Sequence, residues 1–131
     1  MKRAAAKQGD KVSATDTHIA MVPGTPPVPT PLPHLFMGII GGPTLSQNVN
    51  IMKMPAAVVG STADNMPHLP TSPSVSFQRP PTNKASISQG SATVFINGKP
   101  AARDGDPAAT CNDPADTPVG TVRAVGTVMI G

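Results

Sequence analysis

Val94-Phe95-Ile96-Asn97-Gly98-Lys99-Pro100-Ala101-Ala102-Arg103-Asp104-Gly105 is the stretch on which the fold turns, because a degenerate copy of it stands 45 positions earlier. Val49-Asn50-Ile51-Met52-Lys53-Met54-Pro55-Ala56-Ala57-Val58-Val59-Gly60 aligns with it without a gap and keeps Val, Ile, Pro, Ala, Ala and Gly in register. Such internal self-similarity marks a chain assembled from repeated supersecondary units. A third copy emerges when the chain is closed into a circle. Ala5-Ala6-Lys7-Gln8-Gly9-Asp10 matches Ala101 to Asp106, and Val128-Met129-Ile130-Gly131 matches Val94 to Asn97. Met1 and Gly131 then both fall on the position of Asn97, so the third copy is divided between the termini, which are expected to meet in space.

Within the best copy, Thr93 to Ile96 is rich in β-formers and Asn97-Gly98 is a strong hairpin-turn signal, with Lys99 to Arg103 returning as the second strand. Pro100 lacks an amide hydrogen, so its side of that strand is expected at an edge or bulge. A further hairpin is expected from Ala85–Ser88 through Gln89-Gly90 into Ser91–Thr93. Pro and Gly interrupt nearly every window long enough for a helix. Pro23 to Pro33 reads as a loop on an extended polyproline-like path, and Met66 to Pro81 as a second Pro- and Ser-rich connection. Leu35 to Ile40 is the most apolar segment, to be packed against the core or presented as a docking patch.

With 131 residues, the chain is long enough for a single domain, expected over 1–131. It has three Phe and neither Tyr nor Trp, so the apolar core is thin. Burying a Val or Ile contributes only ~1.5–3 kcal/mol against ~1–2 kcal/mol for fixing each backbone residue, which predicts that the fold needs a staple. One Cys rules out an internal disulfide. A net charge of +3 is carried by scattered basic residues. The modest cluster at Lys2, Arg3, Lys7 and Lys11 has no aromatic platform beside it, which argues for a solvated end and against nucleic-acid binding. No long apolar run suits membrane insertion, and the N-terminus has no signal-peptide apolar region.

The staple is a metal ion. His18 follows the Gly of its copy by nine residues, His68 by eight and Cys111 by six. Each copy therefore delivers one donor from the loop just after its second strand. If the copies pack about a common axis, these loops converge at one end, where His34, in the longest loop after the first copy, supplies a fourth donor. Three imidazoles and a thiolate suit tetrahedral Zn²⁺. Such a structural site contributes folding free energy on the order of 10 kcal/mol in zinc-finger peptides.

These features resemble the PAAR-repeat family, named for the element that stands intact at Pro100-Ala101-Ala102-Arg103, with variants Pro55-Ala56-Ala57-Val58 and Ala4-Ala5-Ala6-Lys7. The resemblance covers essentially the whole chain. It implies an all-β fold, a small pointed cone with a pseudo-threefold internal repeat, short β-hairpins, long loops and few or no helices. It further implies one structural zinc held by His18, His34, His68 and Cys111. The implied partner is a trimeric spike protein of the valine-glycine-repeat type, bound by a monomer at the tip of a type VI secretion or phage-tail-like contractile apparatus. Effector proteins are a further implied class of partner. The corresponding location is the cytoplasm during assembly, then export at the tip. The Arg of the motif, Arg103, is not kept in every copy, Val58 and Lys7 standing in its place, and taken by itself it reads as an ion-pair partner of Asp104 or Asp106. No toxin domain is expected within these residues.

Two other functions compete. A small zinc hydrolase needs an open coordination position and a general base. Glu is absent, so an Asp such as Asp16 or Asp113 would have to serve. An adaptor recruiting effectors would use the 23–33 or 35–40 segment and is compatible with the tip reading.

Overall fold

The computed structural model describes residues 2–70 and 72–131. Met1, which the alignment superposes on Asn97, lies outside them, as does Thr71 of the 66–81 connection. Thirteen strands and no helix are found among the described residues. In chain order they are β1 (Arg3–Ala4), β2 (Lys11–Val22), β3 (Val28–Gly41), β4 (Asn50–Ile51), β5 (Met54–Pro55), β6 (Thr62–Asp64) and β7 (Ser76–Phe77). They continue as β8 (Lys84–Ile87), β9 (Phe95–Ile96), β10 (Lys99–Pro100), β11 (Pro107–Thr110), β12 (Thr117–Arg123) and β13 (Met129–Ile130).

The repeat becomes three small hairpins. β4 pairs with β5 and β9 with β10. The turn residues Met52-Lys53 and Asn97-Gly98 all have positive φ, as the tight two-residue turn between twisted strands demands. In the third hairpin the termini take the place of a turn: β13 pairs with β1, Arg3 opposite Ile130 and Ala4 opposite Met129.

The alanines after these hairpins close a ring. Ala6 N donates to Ala102 O (2.9 Å), Ala102 N to Ala57 O (3.0 Å) and Ala57 N to Ala6 O (3.0 Å). Isolated bridges repeat the same order, Ala5 with Arg103, Lys7 with Ala56 and Val58 with Ala101. Ala6, Ala57 and Ala102 join the larger core cluster; Ala5, Ala56 and Ala101 join a second one with Ile51, Ile96 and Val58. Three backbones bonded about one axis leave space for nothing longer than a methyl group, which explains the Ala-Ala pair in every copy.

Each copy then turns through a glycine of positive φ, Gly9, Gly60 or Gly105, where a side chain would be strained. The turn is closed by a side-chain oxygen three residues after its first member. Lys7 N donates to Asp10 Oδ2 (3.0 Å), Val58 N to Ser61 Oγ (3.0 Å) and Arg103 N to Asp106 Oδ2 (2.7 Å). Where the closing residue is a buried Asp, the first turn residue is a cation that pairs with it: Lys7 with Asp10 at 3.1 Å, Arg103 with Asp106 at 2.9 Å. Where the first residue is Val58, the closing residue is neutral. Arg103 grips Asp106 through both Nε and Nη2, so its role is to neutralise a carboxylate that is 1% exposed. Arg103→Val should therefore cost about 2–4 kcal/mol by stranding that charge, with Arg3 at 3.4 Å retaining part of the pairing. Arg103→Val/Asp106→Ser, which recreates the Val58/Ser61 pair, should recover most of the loss in urea denaturation. A double variant no more stable than the single one would refute the account.

After each turn comes a longer hairpin, β2/β3, β6/β8 and β11/β12, and these six strands close a barrel through the β12–β2 pairing. Val12, Phe36, Ile40, Ile87 and Val122 fill it. Phe36 is its one large ring, and Gly38 makes room for it: a Cβ there would lie 2.7 Å from a Phe36 ring carbon. The apolar 35–40 segment thus does both things expected of it by alternation. Phe36 and Ile40 face inward, while Leu35, Met37 and Ile39 are 75%, 44% and 56% exposed.

Two expectations fail. Residues 28–33 are strand, not a polyproline-like loop. Ile40 N donates across to Asp10 O near β2, whereas Met37 N donates to Asn65 Oδ1 on the β6 side. By alternation Pro29, Pro31 and Pro33 share the orientation of Met37, on the edge that β6 covers only from Ile39 onward. Every proline thus falls where no ladder donor is needed. The hairpin expected from Ala85 to Thr93 is also absent. β8 pairs with β6 and β11 instead, and Ser91 Oγ is used to accept from Thr93 N and Val94 N.

Candidate metal centre

β2 and β3 outrun the other barrel strands and carry the site on a projecting ribbon, which β7 joins on the β2 side at Ala20 and Met21. Asp16 and His18, two residues apart on β2, share one face. His34 stands directly across from Asp16 on β3. The 65–83 connection brings His68, and Cys111 follows immediately after β11. Asp113 and Asn112 lash this third segment to the ribbon: Thr17 N donates to Asn112 Oδ1 (2.7 Å), Ile19 N to Asp113 Oδ2 (2.7 Å) and Asp113 N to Thr17 O (2.9 Å).

The side chains meet in a buried cluster. One donor atom each from Asp16, His18, His68 and Cys111 lies within 4.8 Å of all the others. His68 Nε2 is 3.1 Å from Asp16 Oδ2, Cys111 Sγ donates to the same oxygen at 3.3 Å, and Cys111 Sγ is 3.7 Å from His18 Nε2. His34 is outside that four-atom set, but its ring centre is 5.4 Å from that of His18 and 5.2 Å from that of His68, while the His18 and His68 rings are 5.0 Å apart. Phe77 from β7 packs against His18 and His34.

These residues fit a zinc ion. Donors bonded to a tetrahedral zinc at ~2.0–2.3 Å stand roughly 3.3–3.7 Å apart, and three imidazoles on one ion hold their ring centres about 5 Å apart. His18 Nδ1 is buried without a hydrogen-bond partner, and its nearest carboxylate is Asp113 at 3.8 Å. Burial, followed by the facing His68, holds His18 below the ordinary histidine range, keeping it in the neutral form that ligates. Burial, reinforced by Asp16, pushes the Cys111 thiol up to about 11. Its proton must leave when a metal takes the sulfur, so uptake at neutral pH releases that proton and strengthens as pH rises.

Of the four residues singled out in the sequence, His18, His68 and Cys111 are drawn into contact with Asp16, and His34 stands beside them with its Nδ1 on Leu32 O at 3.1 Å. His18 and His34 sit on strands, where loops were expected. Asp16 was weighed only as a base for hydrolysis. The Asp-Thr-His alternation on a strand would have revealed it, because residues two apart point the same way.

A family model described as the PAAR motif matches residues 37–114, more than half of the chain. The match takes in two of the three copies together with His68 and Cys111. No curated protein matches the chain.

Proposed function

The chain belongs to the PAAR-motif family, a spike-tip family of contractile injection systems, and on that premise we propose that it caps and sharpens a trimeric spike of the valine-glycine-repeat type. The observation that carries this reading is the ring through Ala6, Ala57 and Ala102. A monomer can sit on a threefold partner when it offers three similar surfaces, and the small hairpins supply them. Asn50, Phe95 and Met129 occupy equivalent outward positions on these hairpins, and Phe95 and Met129 are 58% and 53% exposed. Packing onto the spike covers them.

The third copy is divided between the termini, and one domain spans 1–131. The centre holds one structural zinc through His18, His34, His68 and Cys111. Zinc stiffens the end remote from the spike, which meets the target envelope first. The protein acts as structure, not as an enzyme: Asp16 is engaged by Thr110, Cys111 and His68, and Asp113 by Ile19 and Arg79, so neither is a free base. Assembly takes place in the cytoplasm and export follows at the tip. Among the described residues no helix is long and apolar enough to cross a membrane. Effector attachment is a second role for the exposed Leu35, Met37 and Ile39 stripe.

The test is co-purification with a trimeric spike protein. Phe95→Asp/Met129→Asp should reduce capture at least tenfold while leaving the melting temperature and metal content unchanged. Leu35→Asp should leave spike capture intact. Undiminished capture by the Phe95/Met129 variant would refute hairpin-mediated docking.

A further inference from the structure

Two of the three imidazoles turn one ring nitrogen toward an oxygen outside the buried cluster, and the third, His68, turns one toward Asp16 within it. His34 Nδ1 meets Leu32 O at 3.1 Å. His18 Nδ1 faces Asp113 Oδ2 at 3.8 Å, a carboxylate held by Ile19 N and by Arg79 Nε at 3.0 Å. His68 Nε2 meets Asp16 Oδ2 at 3.1 Å. Metal-bound imidazoles generally give their second N–H to such an acceptor, which fixes the tautomer and the ring orientation. This leaves His34 Nε2 and His68 Nδ1 free to ligate, together with His18 Nε2, the ring nitrogen that lies 3.7 Å from Cys111 Sγ.

Asp16 is itself positioned. Asn112 Nδ2 donates to Thr110 Oγ1 at 3.0 Å, so the Thr110 hydroxyl proton is directed to Asp16 Oδ1. The Asp16 side chain is 0% exposed and that of His68 4%. A carboxylate so deeply buried is retained only where its charge has partners.

We propose that Asp16 is a positioning residue of the metal centre, an outer carboxylate that orients His68 and is in turn held by the Asn112–Thr110 relay. The inference rests on the metal-centre reading above. His34, whose ring centre lies 5.4 Å from that of His18 and 5.2 Å from that of His68, completes the donor set in Asp16's place.

Cobalt(II) is the probe, loaded into purified wild type, Asp16→Asn, Thr110→Val and His34→Ala. Wild type should give the visible bands of a four-coordinate cobalt with a thiolate-to-metal transition. Asp16→Asn should keep those bands in place and intensity while chelator competition shows affinity ~10–100-fold lower. Thr110→Val, which frees Asp16 without removing it, should lower affinity in the same direction by a smaller factor and serves if Asp16→Asn does not fold. His34→Ala should alter the bands, as loss of a direct donor does. Altered bands in Asp16→Asn would make the carboxylate a ligand and overturn the proposal, as would an unchanged affinity in both Asp16→Asn and Thr110→Val. A wild type without the thiolate transition would instead refute the metal centre itself.

Discussion

Cys111→Ala is expected to abolish stoichiometric zinc and lower the melting temperature by roughly 10–20 °C. The size follows from linkage. Free metal at a thousand times its dissociation constant adds about 4 kcal/mol to the folded state, and each kcal/mol moves the midpoint by about 3–5 °C in a domain this long. The sulfur is the only one of its kind in the chain and is 2% exposed, so no other thiol can replace it. Wild type stripped by a chelator should melt close to the variant, since both lose the ion, and restoring zinc should rescue only wild type. Elemental analysis with differential scanning calorimetry decides the matter. A variant that keeps both its zinc and its melting temperature would remove the metal from any structural role. The thin core explains why the effect is large. Phe36, Val12, Ile40, Ile87 and Val122 fill the barrel, whereas the ribbon and the segments around Cys111 are joined mainly by hydrogen bonds to Asn112 and Asp113.

The second large effect is steric. Ala102→Leu should destabilise the protein by about 3 kcal/mol or more, because Ala6, Ala57 and Ala102 are each 0% exposed and their backbones are bonded to one another. Overpacking is usually relieved by a backbone shift. Here a shift of one strand breaks two bonds of the ring and passes to both neighbours. Chemical denaturation of the zinc-loaded variant should show the loss. Ala115→Leu, at an exposed site, should leave stability unchanged. Wild-type stability in Ala102→Leu would mean that the axis tolerates volume and that the Ala-Ala pairs have another origin.

The hairpins were legible because their signals are local. Asn97-Gly98 announces its turn, the repeated Pro-Ala-Ala transfers that reading to Met52-Lys53, and the Ala-Ala pair of the third copy transfers it to the paired termini. The barrel was less so. β6, β8 and β11 are three or four residues each, too short for alternation to stand out. Their partners are set by closure about the axis, a long-range condition that no window of sequence contains. Proline misled at 29, 31 and 33 because its usual meaning, an interruption, depends on which edge its nitrogen faces. At the metal centre, the repeat pointed to His18, His68 and Cys111 because each follows the glycine of its copy by six to nine residues. Asp16 had no such marker. Its partners Thr110 and His68 are 94 and 52 residues away in the chain, and only folding brings a carboxylate to that imidazole.

The prolines of β3 have a mechanical corollary. A ribbon that projects beyond its barrel offers a row of backbone groups to any extended peptide it meets. Pro29, Pro31 and Pro33 remove alternate amide hydrogens from that flank, so a passing chain finds acceptors but no donors to complete a ladder. β3 keeps its stiffness from β2, which pairs with it along its other edge.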